Sequence, residues 1–291
     1  MPLDRVPPEP WTPPPTDELT TADGRTLTYC LYGPADGTPV VSLPGAPGTR
    51  WERPDVVEAF ERAGLRVLVP DRPGYGGSTR APGRRVAAVA DDVKALTDAQ
   101  GWRRFAVTGH SGGGPHALAC AALLPGVTRC AVVAGLAPPD AAGLDFLGRD
   151  RPGRGDGFVL AARGEHLLRP RLAARAAEVL AAEATAGDGI GRSGSPGRAE
   201  RMRAMFEGGI DGWTDDQIAL VHPWGFDARA VGVPVGVWYG AADDRSPRTH
   251  AEWLLEHLPA AEGHEYAGGH EPDGAESGRI LAWLGQGGRG I

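Results

Sequence analysis

A Gly-x-Ser-x-Gly pattern at residues 109–113 constrains the fold of this chain more than any other feature of its sequence. The apolar run before it, 105–108, is typical of a short buried strand, and the Ala-rich segment after it, 115–124, is typical of a buried helix. A chain that turns so sharply from strand to helix needs small residues beside the turn, and the two outer glycines provide them. The pattern therefore predicts that Ser111 stands at the carboxyl edge of a sheet and that the Gly112 N–H opens a helix.

Strand and helix patterns alternate on both sides of this turn. An Asp-Gly pair at 23–24 predicts a hairpin near the start of the chain. Beyond it, the predicted strands are 40–43, 65–70, 105–109 and 130–134, and the predicted helices are 54–63, 86–100 and 115–124. This alternation predicts an α/β fold with a mostly parallel, twisted sheet and helices on both faces.

The alternation stops at residues 140–228, which are rich in Ala and Arg and show only helical patterns. After this stretch, strands are predicted at 233–239 and 263–267, and helices at 249–258 and 277–284. We therefore expect a core domain in two parts, with a helical cap inserted over the carboxyl edge of the sheet. The expected parts are residues 1–139, of which 1–16 form an extended Pro-rich segment, the cap 140–228, and the second core part 229–291.

The composition excludes several classes of function. A formal net charge of −7 over 291 residues argues against a nucleic-acid partner. No apolar run approaches the length of a membrane span and no signal segment is evident, so we expect a cytoplasmic protein with a small-molecule substrate and no membrane partner. Cys30, Cys120 and Cys130 lie in or beside apolar runs without zinc-ligand spacing, which favours reduced core cysteines and predicts no metal or cofactor. The sequence does not indicate the oligomeric state.

A serine nucleophile needs a base, and the base needs an acid that orients it. In a doubly wound sheet, both are expected in turns after later strands. Asp243 is the first candidate for the acid, because of its spacing from the glycine before it and the proline after it, and Asp244 remains the alternative. The other interpretation is that both aspartates only cap the turn and the next helix.

The candidate base is His270, which lies on a Gly-rich loop after the last predicted strand. Its place in the chain after both the serine and the acid favours this role. His264 lies earlier, in the strand itself, and is less well placed. His110 is expected to point away from the serine and to be structural, and His116 is a helix residue without an evident task.

An acyl-transfer site also needs N–H donors for the oxyanion. The Gly112 N–H is one candidate, and the Ala46 N–H, in the loop after strand 40–43, is the other. Pro44 and Pro47 in the same loop cannot donate. The alternative is that this loop is merely a tight turn.

Taken together, these residues resemble the α/β-hydrolase superfamily, in particular bacterial serine hydrolases of an esterase-like branch with a helical cap. The motif Asp-Arg-Pro-Gly-Tyr-Gly-Gly-Ser at 71–78 carries much of this resemblance and is implied to be mostly architectural. The resemblance implies a Ser-His-Asp triad carried by Ser111, His270 and Asp243, with an oxyanion hole formed by the two donors named above. A serine at the nucleophile position argues against the dehalogenase and epoxide-hydrolase branches.

The chain departs from the family's pattern at Pro44, where that family has a histidine whose ring helps to hold the oxyanion loop. The expected function is a serine hydrolase that cleaves a small or medium carboxylic ester, thioester or lactone through an acyl-enzyme. Alternatives are a C–C bond-cleaving or non-hydrolytic enzyme, such as a lyase or cyclase, and a ligand-binding protein without catalysis. Trp213, Trp224 and Phe226 are candidates for an apolar substrate pocket, although such aromatic residues more often anchor a cap to its core.

Overall fold

The computed structural model describes residues 11–146, 156–185 and 196–286. Within these ranges the strands are β1 (Asp17–Thr20), β2 (Thr26–Tyr32), β3 (Thr38–Leu43), β4 (Leu65–Pro70), β5 (Phe105–His110), β6 (Val127–Val133), β7 (Val235–Gly240) and β8 (Ala261–Tyr266). The helices are α1 (Pro54–Arg62), α2 (Val89–Ala99), α3 (Gly113–Leu123), α4 (Asp156–Arg163), α5 (Glu165–Thr185), α6 (Arg198–Met205), α7 (Asp211–Val221), α8 (Arg248–His257) and α9 (Gly274–Gly285).

The strands form one sheet in the order β1-β2-β4-β3-β5-β6-β7-β8. The β1–β2 and β2–β4 pairs are antiparallel, and every other pair is parallel. The mostly parallel α/β sheet and the hairpin around the Asp-Gly pair are therefore confirmed. Of the Pro-rich segment, residues 11–16 have no regular secondary structure, and residues 1–10 lie outside the described ranges.

Helices cover both faces of the sheet, because the buried residues of a parallel strand point alternately to its two sides. In β3, Val41 packs in one apolar cluster with α2, α3 and α8, whereas Val40 packs in a second cluster with α1 and α9. Both valine side chains are fully buried. Burial on both faces explains why β3, β4, β5 and β6 read as almost continuous apolar runs in the sequence.

The strand register brings distant loops together at the carboxyl edge of the sheet. Leu43, the last residue of β3, pairs with Gly109 of β5, so the loops after these two strands begin side by side. At the other end of the same edge, Gly240 of β7 pairs with Tyr266 of β8. Every candidate site residue that the sequence indicated on the core lies just beyond one of these four strand ends.

The described residues between β6 and β7 include the helices α4 to α7, here called the intervening helices, and a 3-10 turn at Ala228–Ala230, and they contain no strand. Ala161, Leu168 and Leu172 of α4 and α5 form a small apolar core of their own, against which Trp213 of α7 packs. Most of the Gly/Ser/Pro-rich stretch at 188–197 lies outside the described residues. The division of the chain into a core and a cap stays a prediction.

A helix that crosses a membrane needs about 20 consecutive, mostly apolar residues. Among the described residues, none of the helices combines the necessary length with the necessary apolar character.

Candidate active site

Ser111 occupies a strained turn between β5 and α3. Its φ angle is +53°, in the left-handed region that residues with side chains rarely adopt. The turn brings the backbone so close to its neighbours at positions 109 and 113 that neither position has room for a side chain, and both residues are glycine. A Cβ on Gly109 would lie 2.1 Å from the carbonyl oxygen of Gly113, and a Cβ on Gly113 would lie 2.2 Å from that of Leu43. The Ser111 N–H donates to the Val133 carbonyl at 2.8 Å, which ties the turn to β6.

His270 and Asp243 form a hydrogen-bonded pair. The Nδ1 atom of His270 lies 2.9 Å and 3.1 Å from the two carboxylate oxygens of Asp243. That carboxylate also accepts the backbone N–H groups of Arg245 at 2.8 Å and Ser246 at 3.0 Å. The Asp243 side chain is fully buried and that of His270 is 9% exposed. Since every bond to the carboxylate is an accepted one, Nδ1 carries a proton, and Nε2 is left with the lone pair that a general base requires.

The charge state of Asp243 follows from its contacts. Burial alone raises the pKa of this carboxyl group, but the hydrogen bonds from His270, Ser246 and Arg245 lower it, and the net effect is a pKa below the ordinary value. The carboxylate is therefore ionised at neutral pH, and it stabilises positive charge on the imidazole. The side chain of Asp244 is exposed, so Asp243 is the carboxylate that the fold brings to His270.

The loops that carry the candidate acid and the candidate base are bonded to each other. The Ala241 N–H donates to the Tyr266 carbonyl and the Ala242 N–H to the Gly268 carbonyl, both at 2.9 Å. A side chain at Gly240 would clash with this arrangement, because its Cβ would lie 2.1 Å from the Gly269 carbonyl oxygen. The relative position of Asp243 and His270 is therefore set by two adjacent strand ends.

His110 lies behind the candidate base. The two imidazole rings are 5.0 Å apart in an edge-to-face arrangement. His110 Nε2 donates to the His270 carbonyl at 3.2 Å, and the Tyr266 hydroxyl donates to the same oxygen at 3.3 Å. Desolvation lowers the pKa of His110, which favours the neutral ring. These contacts fit the expectation that His110 is structural.

Among the described residues, one set of side chains could gather around a metal ion: His110, His270 and Glu271, whose ligand atoms lie within 4.8 Å of one another. His110 Nε2 and His270 Nδ1 are already engaged in the hydrogen bonds above. A metal ion would have to break these bonds or take the nitrogen that general-base chemistry needs. The set is therefore better explained by the hydrogen bonds that hold the His270 loop in place.

No contact among the described residues joins Ser111 Oγ to His270 by a hydrogen bond. In hydrolases without substrate, this contact is often long and tightens when substrate binds. The strand order places the two residues on the same edge, with β6 and β7 between the strands β5 and β8 from which they extend.

The two candidate oxyanion donors lie next to each other. The position that a Cβ on Gly112 would occupy is 3.4 Å from the Ala46 nitrogen and 2.9 Å from the Ala46 Cβ. The same position is 3.4 Å from Cδ1 of Leu220, which α7 places over the elbow. The absence of a side chain at Gly112 therefore keeps open a space between the two backbone N–H groups.

Sequence reasoning assigned no site role to three buried polar residues that bond to the backbone of these two loops or to one another: Arg72, His116 and Asp216. Arg72 donates to the carbonyl oxygens of Pro44 and Gly45, and its side chain is paired with Asp216 of α7. His116 contacts the Gly112 carbonyl oxygen through Nδ1 at 2.8 Å. Burial, together with the charge of Arg72, lowers the pKa of His116 to about 4. The 71–78 motif was a signal for Arg72, but nothing in the sequence connects that residue to Asp216.

The three aromatic pocket candidates lie in two different places. Trp224 is buried and stacks on Phe226 with ring centroids 5.9 Å apart, and both belong to the main apolar core. The Trp224 indole N–H donates to the Leu220 carbonyl at 3.2 Å. Trp213 packs instead against Phe206, at 5.9 Å, within the intervening helices. Trp224 and Phe226 thus have the contacts of an anchor between α7 and the core.

The family model for the alpha/beta hydrolase fold matches residues 38–272, which include every candidate site residue described above. This chain belongs to the α/β-hydrolase fold family. The α/β-hydrolase resemblance noted in the sequence is thereby confirmed.

Two curated relatives and one solved structure show how similar the chain is to known proteins of this family. The chain is 37% identical over 123 residues to the non-heme chloroperoxidase of Streptomyces lividans, covering 42% of this chain and 45% of the relative. It is 33% identical over 97 residues to the bifunctional esterase/perhydrolase DCH of Acinetobacter calcoaceticus, covering 33% and 35%. The matched part is thus less than half the length of these relatives. A hydrolase from Pseudomonas aeruginosa PA01 superposes with a TM-score of 0.68 at 25% identity, covering 93% of this chain and 98% of that one.

Proposed function

We propose that this α/β-hydrolase is a serine hydrolase that cleaves a small or medium carboxylic ester, thioester or lactone. The observation that carries the proposal is the His270–Asp243 pair, buried and bonded at 2.9 Å, at the same sheet edge as a serine in a strained elbow. The name of one relative, esterase/perhydrolase, supports acyl chemistry. The substrate class comes from the proposed triad and not from these relatives.

In the proposed mechanism, Ser111 Oγ attacks the carbonyl carbon while His270 Nε2 takes the hydroxyl proton. Asp243 keeps the imidazole in the Nδ1–H tautomer and stabilises the imidazolium. The N–H groups of Ala46 and Gly112 donate to the oxyanion of the tetrahedral intermediate. His270 then gives its proton to the leaving alcohol or thiol, which departs and leaves an acyl group on Ser111.

Deacylation repeats these steps with water as the nucleophile. His270 removes a proton from the water molecule, the resulting tetrahedral intermediate collapses, and the carboxylic acid leaves while the proton returns to Ser111. The chemistry proceeds through the side chains and backbone N–H groups named here. In this proposal the intervening helices act as a cap whose inner surface, including Leu220 beside Gly112, selects the acyl group.

The test is a panel of p-nitrophenyl esters of increasing acyl length, with thioesters and lactones, assayed on the wild type and on Ser111→Ala. The wild type is expected to turn over at least one class, and the variant to lose about 10⁴-fold or more of kcat. A pre-steady-state burst of p-nitrophenol, equal to the enzyme concentration, would report the acyl-enzyme directly.

Two results would contradict the proposal. Turnover that persists in Ser111→Ala but is lost in His270→Ala would point to the lyase or cyclase alternative, in which the imidazole acts without a covalent intermediate. A folded wild type with no turnover of any member of the panel would contradict the proposed substrate class.

Hydrogen peroxide added to the ester assay shows whether the acyl-enzyme also accepts this second nucleophile.

A further inference from the structure

Arg72 connects the loop before Ala46 to an intervening helix. Its Nη2 donates to the Gly45 carbonyl oxygen at 2.7 Å, and its Nη1 donates to the Pro44 carbonyl oxygen. Its Nε and Nη2 also donate to one carboxylate oxygen of Asp216, at 3.1 Å and 2.6 Å. The Arg72 side chain is 2% exposed and that of Asp216 is fully buried. A guanidinium held at both ends in this way has a fixed direction.

The contact with Gly45 matters because of the geometry of the peptide unit. The Gly45–Ala46 peptide bond is trans, so its C=O and N–H lie in one plane and point in opposite directions. A group that fixes the Gly45 carbonyl therefore fixes the direction of the Ala46 N–H as well. The positive charge on Arg72 also polarises this peptide unit, which makes the N–H a stronger donor.

Pro44, which begins this loop, has no polar group besides its carbonyl that could hold the peptide plane, because it lacks a backbone N–H and its ring carries no polar atom. Its carbonyl oxygen, like that of Gly45, is held by Arg72. The restraint on the oxyanion loop therefore comes from outside the loop.

Asp216 is the centre of the group that holds Arg72. Besides Arg72, it accepts the Tyr75 hydroxyl at 2.9 Å and Arg84 Nη2 at 2.7 Å. Arg84 also pairs with Asp215 at 3.1 Å, and Arg80 pairs with Asp215 at 2.8 Å, so that three guanidinium groups face two carboxylates. A buried carboxylate with this many charge-assisted bonds has little freedom to move, and neither do its donors.

Close backbone packing fixes α7, and hence Asp216, relative to the core. The Gly212 N–H in the first turn of α7 donates to the Gly74 carbonyl at 3.1 Å. A Cβ on Gly74 would lie 2.7 Å from the Gly212 nitrogen, so the two segments approach as closely as glycines allow. Asp216 lies about one helical turn further along α7, and Leu220, which faces Gly112, lies one turn beyond that.

We propose that Arg72, held by Asp216, is a positioning residue that sets the direction of the Ala46 N–H. In this arrangement α7 takes part in catalysis through the oxyanion donor as well as covering the site. The inference rests on the proposed function, since it assigns a reason for the efficiency of the same oxyanion site.

Two variants test this role in the full-length chain. Asp216→Asn removes the charge that holds Arg72, and Tyr75→Phe removes one hydrogen bond to Asp216 while preserving the ring. The matched control is Asp92→Asn, because Asp92 is a buried helix carboxylate whose side chain bonds to Arg25, at 2.7 Å, and not to Arg72 or Asp216. Each protein is assayed for kcat and KM on the best ester, and for affinity for a trifluoromethyl ketone analogue of the tetrahedral intermediate.

A misdirected donor weakens binding of the oxyanion but not of the ground-state ester. Asp216→Asn is therefore expected to lower kcat roughly 10- to 100-fold with KM within about twofold, and to weaken the ketone by a similar factor. Tyr75→Phe is expected to lower kcat by about two- to fivefold. Asp92→Asn is expected to change neither quantity by more than about twofold.

The inference is overturned if neither variant lowers kcat, or if Asp92→Asn lowers it to the same extent. Should Asp216→Asn fail to fold, Tyr75→Phe decides the outcome. A wild type without ester turnover would contradict the proposed function but not this inference. In that case a crystal structure of Tyr75→Phe or Asp216→Asn decides: a displaced Gly45 carbonyl supports the role of Arg72, and an unchanged peptide plane contradicts it.

Discussion

The two halves of the candidate site are assembled in different ways. The acid–base half consists of Asp243 and His270, which are 27 residues apart and extend from the adjacent strands β7 and β8. The oxyanion half consists of the Ala46 and Gly112 N–H groups, and its loop is held by Arg72 and Asp216, which are 144 residues apart. The first half is built within the core, and the second depends on how the intervening helices pack.

This difference predicts different sensitivities. Perturbing α7 should leave the His270–Asp243 pair intact, because its contacts come from the loops after β7 and β8 and from β5. The same perturbation should reach Ala46 through Arg72. Changes on the acid–base side should affect every step of proton transfer, whereas changes on the oxyanion side should mainly weaken binding of the transition state.

The largest effect is expected at the acid. Asp243→Asn is expected to lower kcat about 10⁴-fold, because an amide at this position favours the wrong imidazole tautomer and does not stabilise the imidazolium. Asp244→Asn is the matched control, since its side chain is exposed, and activity within about twofold of the wild type is expected. Ester hydrolysis at pH 7 measures both. Equal losses in the two variants would contradict the assignment of Asp243.

The next effect concerns the free energy of unfolding. Asp216→Asn is expected to destabilise the protein by about 3–5 kcal/mol at pH 7, since it leaves the buried charge of Arg72 without a paired carboxylate and leaves Arg84 paired with Asp215 alone. Urea unfolding of the variant and the wild type measures the difference. A loss below about 1 kcal/mol would mean that this cluster contributes little to the attachment of α7.

The same variant has a pH dependence of known sign. Burial raises the pKa of Asp216, but Arg72 and Arg84, with a smaller contribution from His116, lower it well below the ordinary 3.8. A depressed folded-state pKa gives stability that is fully present above the unfolded-state pKa and is lost as pH falls toward the folded-state value. The difference between wild type and Asp216→Asn should therefore be constant between about pH 6 and 8 and shrink below about pH 4. A difference that grows on acidification would contradict this.

A smaller effect on activity is expected at the elbow. Gly112→Ala places a methyl group 2.9 Å from the Ala46 Cβ, so the oxyanion loop has to shift and kcat is expected to fall about 100-fold. Gly278→Ala in α9 is the control, because a Cβ there has no atom within 4 Å among the described residues. That control should retain full activity and gain about 0.5–1 kcal/mol of stability. Full activity in Gly112→Ala would place the oxyanion site elsewhere.

The smallest effect is a difference in stability between variants of Trp213 and Trp224, two tryptophans that lie between β6 and β7. The Trp224 indole N–H donates to the Leu220 carbonyl, whereas that of Trp213 is buried without a partner among the described residues. Trp224→Phe is expected to cost about 1 kcal/mol more than Trp213→Phe in thermal or urea unfolding, because only the former breaks a hydrogen bond. The reverse order would show that Trp213 is the stronger anchor.

The core and the acid–base half could be predicted because their signals are local. β3 and β5 are mostly apolar and are followed directly by glycine-rich turns, and Asp243 and His270 each follow a recognisable strand. The spacing left Asp243 and Asp244 as alternatives, and only the fold shows which of them contacts His270.

The oxyanion support could not be predicted, because a charged residue in a linear pattern usually indicates a solvated surface. Arg72 and Asp216 are buried with partners from distant parts of the chain, including each other, and the residues next to them in the sequence do not indicate these partners. A similar tertiary effect alters the helix predicted at 86–100. It begins with a 3-10 turn, Val86–Ala88, where the Ala87 N–H donates to the Trp224 carbonyl at 2.9 Å.

The central claim is that the fold activates Ser111 as a nucleophile, and intact-mass analysis after treatment with a fluorophosphonate tests it most directly. The account predicts a single adduct on the wild type, none on Ser111→Ala, and strongly slowed labelling of His270→Ala. Absence of an adduct on the folded wild type, or an adduct that persists in Ser111→Ala, would contradict the claim.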